Sequence, residues 1–112
     1  MKAQALRTLD AQLIADVRDE LLKACRPQAI ILFGSAARAQ THAGSDLDVL
    51  IIMELPEGTT PREQARQLHA LFEGWLLPLD LIVLTPEGYR RGLRLPGHIA
   101  QVAAREGKRI YG

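Results

Sequence analysis

The stretch LFGSAARAQTHAGSDLDVLIIM, residues 32–53, decides the fold. An apolar run ends at Phe33 and is followed directly by Gly34 and Ser35; ten residues further on, a second apolar run begins at Asp46. Short unbroken apolar runs of this kind are typical of strands buried on both faces. The stretch therefore predicts two core strands joined by a glycine turn, with aspartates at the start of the second strand.

Three strands are predicted when the same pattern is followed outward, at residues 29–33, 46–53 and 79–84. A brief helix capped by Ser35 and a loop bent at Gly44 join the first two, and this spacing leaves their relative orientation open. The connection from the second strand to the third is long enough for a crossover between parallel strands.

Helices are predicted from apolar periodicity and from capping residues. Residues 8–25 repeat an apolar side chain every four positions. Thr60, Pro61 and Glu63 form a capping box that begins a second helix, and its predicted buried face consists of Ala65, Leu68, Phe72 and Trp75 or Leu76. The tail predicts a helix from Thr85-Pro86, a break at Pro96-Gly97, a helix to about Glu106 capped by Gly107, and a final edge strand.

This order of elements predicts an α/β fold, a small mixed sheet flanked by helices, in one domain over residues 1–112. The net charge of +1 gives no reason to expect stable nucleic-acid binding. Residues 88–112 are nevertheless basic, with Arg or Lys at six positions against Glu106 alone. The single cysteine suits a reducing compartment, and no apolar run approaches the roughly 18 residues of a membrane span. We therefore expect a cytoplasmic protein without membrane contact.

The aspartates carry the chemistry that the sequence suggests. Side chains alternate along a strand, so Asp46 and Asp48 point the same way and repel each other unless a cation or hydrogen bonds compensate. Mg²⁺ prefers such oxygen ligands. Asp80 interrupts another apolar run, where an unpartnered carboxylate would be costly to bury. The sequence leaves the roles of these aspartates open. Asp46 and Asp48 could be exposed capping residues and Asp80 could pair with an arginine, or all three could share one metal site.

Gly34 and Ser35 follow a strand and open a predicted helix, where free backbone N–H groups can bind phosphate. An anion site beside clustered carboxylates is what a metal-bound nucleoside triphosphate requires.

The combined motif, Gly-Ser, ten residues, Asp-x-Asp and a third aspartate on a later strand, resembles the polymerase-β-type nucleotidyltransferases. It is especially similar to the minimal nucleotidyltransferases, which act as antitoxins of HEPN-domain toxins. The resemblance runs from about residue 10 to the end, including REGKRIYG, and departs at Ala39, where many members have glycine. It implies a polymerase-β-like nucleotidyltransferase fold.

The resemblance also implies residue roles. Gly34 and Ser35 would hold the β- and γ-phosphates of ATP. Asp46 and Asp48 would bind two Mg²⁺ ions, and Asp80 would complete the metal site and help deprotonate the attacking hydroxyl. Two further residues are assigned to the nucleotide: Arg38 as a phosphate contact, with a surface role as its alternative, and Ser45, which caps the turn before Asp46.

The implied reaction transfers AMP from ATP to a hydroxyl, expected to be a tyrosine, of a cognate HEPN toxin. Two alternatives stay open: a non-catalytic antitoxin that masks its partner, through the basic 90–109 segment for example, and an enzyme that modifies a small molecule. Because little chain follows the catalytic motifs, we expect another molecule to supply the acceptor surface, either a partner protein or a second copy in a homo-oligomer.

Overall fold

The computed structural model describes residues 10–34, 37 and 46–112 of the chain. Apart from the short helix expected after Ser35, which lies outside the described residues, its helices and strands follow the predicted order. They are α1 (Ala11–Ala24), β1 (Ala29–Phe33), β2 (Leu47–Ile52), α2 (Pro61–His69), β3 (Leu79–Leu84), α3 (Pro86–Gly92), α4 (Ile99–Glu106) and β4 (Lys108–Tyr111).

The described strands form one mixed sheet in the order β3-β2-β1-β4. β1 is antiparallel to both β2 and β4, which settles the orientation that the sequence left open. β2 and β3 are parallel neighbours joined through α2, as a crossover connection requires. The predicted α/β architecture is confirmed, and β3 and β4 lie at the two edges of the described sheet.

The core lies on both faces of this sheet. On one face, α1 and α2 cover β1, β2 and β3, and the buried residues include Leu13, Val17 and Leu68. On the other face, Tyr89 of α3 and Ala103 of α4 pack against a second cluster. The central strands are therefore buried on both sides, which is why their sequences read as unbroken apolar runs.

Helix starts follow the capping residues. Asp10 has extended backbone angles and its side chain accepts a hydrogen bond from the Leu13 N–H at 2.8 Å, so α1 begins at Ala11. Residues 8 and 9 of the predicted helix lie outside the described residues. Thr60 caps α2 as predicted, by accepting from the Glu63 N–H at 3.1 Å, and Pro61 opens the helix.

The buried face predicted for the second helix extends beyond α2 itself. The helix stops at His69, and a 3-10 turn continues it over Ala70–Phe72. Phe72 is buried and meets the half-buried Trp75 edge to face, with ring centroids 4.8 Å apart. Leu76, by contrast, is 37% exposed and has a φ of 55°, so it ends the segment and does not belong to the buried face.

The C-terminal segment agrees with the prediction. α3 and α4 are separated around Pro96 and Gly97, Gly107 caps α4, and β4 pairs with β1 as an edge strand. Among the residues described, no helix combines the length and the apolar character needed to cross a membrane.

Candidate functional site

Two of the predicted aspartates occupy adjacent positions on neighbouring strands. Asp48 of β2 lies in register with Asp80 of β3 on one side and with Phe33 of β1 on the other. Neighbouring strands are about 4.8 Å apart, and residues in register point to the same face. The long-range pairing of the sheet therefore brings together carboxylates that are 32 residues apart in the chain.

Gly34 places the end of β1 against the Asp48 carboxylate. Its φ is +70°, in the left-handed region that glycine adopts without steric cost. A Cβ atom at position 34 would overlap Oδ2 of Asp48. Position 34 therefore requires glycine for two reasons, the positive φ of its backbone and the close approach of the aspartate.

The three aspartates differ in exposure. Asp48 is half-buried and takes part in an interaction, whereas Asp46, just before β2, and Asp80 are exposed. The cost of burying an unpartnered carboxylate does not arise for Asp80, because its side chain is exposed at the start of β3, an edge strand of the described sheet. Among the ion pairs of the described residues, none joins Asp80 to an arginine.

The side chains of Asp46, Asp48 and Asp80 do not form a ready-made metal site. Within the described part of the chain, no three His, Cys, Asp or Glu side chains are grouped closely enough to hold an ion. The pairing of the strands brings Asp48 and Asp80 together, and Asp46 lies just before β2, two residues before Asp48.

Several predicted residues lie outside the described residues. They are Ser35, Arg38 and Ser45, together with the short helix expected after Ser35 and the loop at Gly44. Their assignment to the nucleotide stays a prediction.

Cys25 is not a candidate nucleophile for this site. Burial raises the pKa of its thiol, and its Sγ lies 3.4 Å from the Leu21 carbonyl oxygen. A raised pKa keeps the thiol protonated and unreactive near neutral pH.

A cavity of about 400 Å³, which was not predicted from the sequence, lies beside Asp80, between α2 and the start of β3. His69 lines it, and its Nε2 donates to the Leu79 carbonyl oxygen at 2.9 Å. Arg66, one helical turn before His69, lines it too. The only signal in the sequence was the spacing of three residues, which places both side chains on one face of a helix.

A basic surface lies at the opposite end of β3, on α3 and the residues after it. We define it by Arg90, Arg91 and Arg94 with Leu93 and Leu95, all of them exposed. Leu95 is 53% exposed and Leu93 37%. The described ion pair here joins Arg91 to Glu87 at 3.7 Å, and both side chains are more than two-thirds exposed.

Comparison with known families identifies the class of protein that this fold and site define. The model of the nucleotidyltransferase domain family matches residues 12–107. The match spans most of the chain and contains the three aspartates and Gly34. The chain belongs to the nucleotidyltransferase domain family.

Solved structures with the same fold include proteins from toxin–antitoxin pairs. A toxin–antitoxin structure with AMP-PNP is 23% identical, with a TM-score of 0.54, and the match covers 93% of this chain and 74% of that one. The toxin–antitoxin MntA–HpeT with a tyrosine-to-alanine substitution is 23% identical, with a TM-score of 0.55 and coverages of 93% and 73%. A Sulfolobus solfataricus protein classed as a nucleotidyltransferase is 21% identical, with a TM-score of 0.54 and coverages of 71% and 70%. No curated protein matches the chain.

Proposed function

We propose that this protein is an antitoxin that transfers AMP from ATP to a hydroxyl, a tyrosine in particular, of a cognate HEPN-domain toxin. The observation that carries the proposal is the register of Asp48 with Asp80 beside Gly34, in a chain of the nucleotidyltransferase domain family. A solved neighbour with AMP-PNP and another with a substituted tyrosine support ATP as the donor and tyrosine as the acceptor.

The transfer needs few protein groups. The acceptor oxygen attacks the α-phosphorus of ATP, the bond from that phosphorus to the bridging oxygen breaks, and pyrophosphate leaves. Asp80, exposed at the strand edge, accepts the proton of the attacking hydroxyl and passes it to water. Gly34, with no side chain, lets the Asp48 carboxylate lie against the end of β1, and its backbone is the proposed contact for phosphate.

The donor atoms present suit Mg²⁺. The candidate ligands, Asp46, Asp48 and Asp80, offer carboxylate oxygens only, and hard divalent cations prefer these to nitrogen or sulfur. Because a Cβ at position 34 would overlap Oδ2 of Asp48, glycine at this position lets that carboxylate lie against the end of β1. When bound, two Mg²⁺ ions would neutralise the triphosphate and stabilise the charge that develops on the leaving group.

The first prediction concerns Asp48→Asn. The substitution keeps the shape of the side chain but removes one carboxylate of the proposed metal site, so we expect nucleotide transfer to fall by at least about 100-fold. The intact mass of the cognate toxin, incubated with this protein, ATP and Mg²⁺, measures the transfer. Glu57→Gln is the matched control, because Glu57 is exposed in the loop after β2.

The mass spectrum also decides between donors. A mass increment equal to AMP on the partner supports the proposal, and an increment equal to another nucleotide replaces ATP with that donor. A wild-type protein that adds no nucleotide to any protein partner overturns the proposed reaction.

A second candidate function, neutralisation by contact alone, is favoured by the basic surface on α3. Its arginines and exposed leucines have the composition of a protein interface. The same variant separates the two functions. If Asp48→Asn still neutralises the toxin, contact is sufficient; if it binds the toxin but no longer neutralises it, catalysis is required. For either function we place the protein in the cytoplasm, where its single cysteine stays reduced.

A further inference from the structure

The cavity between α2 and β3 has no role in the reaction as described so far. It is lined by residues from the second half of α2, from the turn after it and from the start of β3: Ala65, Arg66, His69, Ala70, Glu73, Leu79, Asp80 and Leu81. Its volume of about 400 Å³ lies within the range of pockets that bind small molecules and side chains.

The cavity extends to the proposed catalytic carboxylate around the edge of the sheet. Leu79 and Leu81 pack on the face that α2 covers, and alternation places the Asp80 side chain on the other face. Asp80 nevertheless lines the cavity. Because β3 is an edge strand of the described sheet, no described strand separates the cavity from this residue. An occupant of the cavity therefore lies next to Asp80.

The free edge of β3 is not itself open to another strand. Pro78 and Leu84 direct their carbonyl groups to β2, at 2.8 Å from the Leu47 nitrogen and 3.0 Å from the Met53 nitrogen. In a parallel ladder, the peptide groups of the alternate residues, Leu81 and Val83, then face outward. Since Leu81 is only 8% exposed and Val83 only 3%, the edge beyond Leu79 is covered. The cavity suits a side chain and not an added strand.

The lining favours a flat side chain with a polar tip. Alanine and leucine side chains form part of the wall, and Arg66 adds a guanidinium group, which stacks well on aromatic faces. His69 is held in place by its bond to Leu79; since a carbonyl oxygen only accepts, the Nε2 atom carries the proton. A phenol combines an apolar ring with a hydroxyl and matches these walls.

We infer that this cavity is the acceptor site, and that it receives the phenol side chain of a tyrosine on the partner protein. The ring lies beside Arg66 and the hydroxyl faces Asp80, which takes its proton as the oxygen attacks the α-phosphorus and pyrophosphate leaves. This inference rests on the proposed function and names the residues that select the acceptor. Arg66 and His69 act here as specificity and positioning residues.

The test uses N-acetyltyrosinamide as the probe, titrated into isotope-labelled protein and followed by ¹⁵N–¹H NMR. We expect amide signals of residues 65–70 and 79–81 to shift. Ala70→Trp, at an exposed position, fills the cavity and should weaken binding at least tenfold. Arg66→Met should weaken binding about three- to fivefold, the size of an exposed cation–π contact. Arg62→Met, an exposed arginine that does not line the cavity, is the control.

Three results would overturn the inference. The first is equal binding of N-acetylserinamide, because it removes the preference for an aromatic ring. The second is a set of shifts centred elsewhere, for example around Tyr89. The third is unchanged binding in both Ala70→Trp and Arg66→Met, whose folding is checked by circular dichroism.

Transfer kinetics distinguish this inference from the function on which it rests. If the wild-type protein transfers AMP to its partner and both cavity variants raise the KM for that partner, the inference is supported. If the wild-type protein transfers AMP and neither variant changes this KM, the inference alone fails. If the wild-type protein neither binds Mg·ATP in calorimetry nor transfers AMP, the proposed function fails and the acceptor site with it.

Discussion

At the scale of single residues, Gly34 has the most demanding position in the candidate site. It combines a φ of +70° with the contact that a side chain would make with Oδ2 of Asp48. The first of these costs is common to every non-glycine residue in the left-handed region. The overlap with Asp48 is specific to the site. A second glycine with a positive φ but no such neighbour can therefore separate the cost of backbone strain from the cost of overlap.

We predict that Gly34→Ala loses more stability and more activity than Gly58→Ala. Both glycines have positive φ values, +70° and +83°, but a Cβ at position 58 meets nothing within 4 Å. Each alanine should cost about 1–2 kcal/mol of backbone strain, and only Gly34→Ala also displaces Asp48. Urea unfolding and AMP transfer measure the two effects. Equal losses in the two variants would contradict the role of Gly34 in holding the aspartate in place.

Much of the site could be predicted residue by residue, because its motif is local. Gly34, Asp46 and Asp48 stand close together in the sequence, and their residue types alone suggest phosphate and metal binding. The exposure of Asp80 could not be predicted, because it depends on whether β3 is a central or an edge strand. Strand order is set by contacts between distant segments, and a run of apolar residues does not encode it.

At the scale of elements, the sequence predicts strands better than the ends of helices. β1 and β3 have the predicted bounds, and β2 is shorter by one residue at each end, because their apolar runs end abruptly. α2 ends earlier than its apolar pattern suggests, because apolar residues continue beyond the helix to Leu77. After the 3-10 turn, the backbone changes direction at Gly74, with a φ of +86°, and at Leu76, with a φ of 55°. Apolar periodicity reports which residues are buried and not where the backbone leaves the helix.

Gln64 is an exception to the binary pattern of α2. It is polar, yet it is only 6% exposed, and its Oε1 has no hydrogen-bond partner among the described residues. A buried polar atom without a partner costs about 1–3 kcal/mol. Sequence patterning assigned the neighbouring Ala65 to the buried face, and Ala65 is half-buried in the structure.

We predict that Gln64→Leu stabilises the protein by about 1 kcal/mol, because leucine has a similar size and removes the unpartnered oxygen from the core. Thermal unfolding should show a higher Tm for this variant. Gln67→Leu is the control: Gln67 lies on the exposed side of the same helix, so its stability should change by less than about 0.5 kcal/mol. A destabilised Gln64→Leu variant would indicate that Gln64 has a partner which leucine cannot replace.

At the scale of the whole molecule, the candidate site and the basic surface lie at opposite ends of β3. Asp80 stands near its start, and α3 with the basic surface follows its end. Six residues of strand span about 17 Å. A partner that contacts Arg90 and Arg94 while presenting a hydroxyl at Asp80 must therefore reach along one side of this small protein.

Because the two regions are separated, we expect partner binding and nucleotide transfer to depend differently on salt concentration. Long-range attraction between the arginines and an acidic partner surface is screened by salt, whereas contacts within the cavity are short-range and much less affected. Raising the salt concentration should accordingly weaken the association with the partner more than it slows transfer within the complex already formed.

The double variant Arg90→Glu/Arg94→Glu tests the basic surface directly. If the partner docks there with acidic residues, reversing two charges should weaken association at least tenfold, mainly through slower binding at low salt. Both arginines are exposed, so folding should be preserved. Lys23→Glu/Arg62→Glu makes the same change in net charge at two exposed positions outside both the basic surface and the cavity lining, and should leave association nearly unchanged. Surface plasmon resonance at two salt concentrations measures both rates. An equal loss of affinity in the two double variants would show that net charge, and not this surface, determines the association. If the wild-type protein binds RNA more strongly than any protein, the expected partner is a nucleic acid and not an acidic protein.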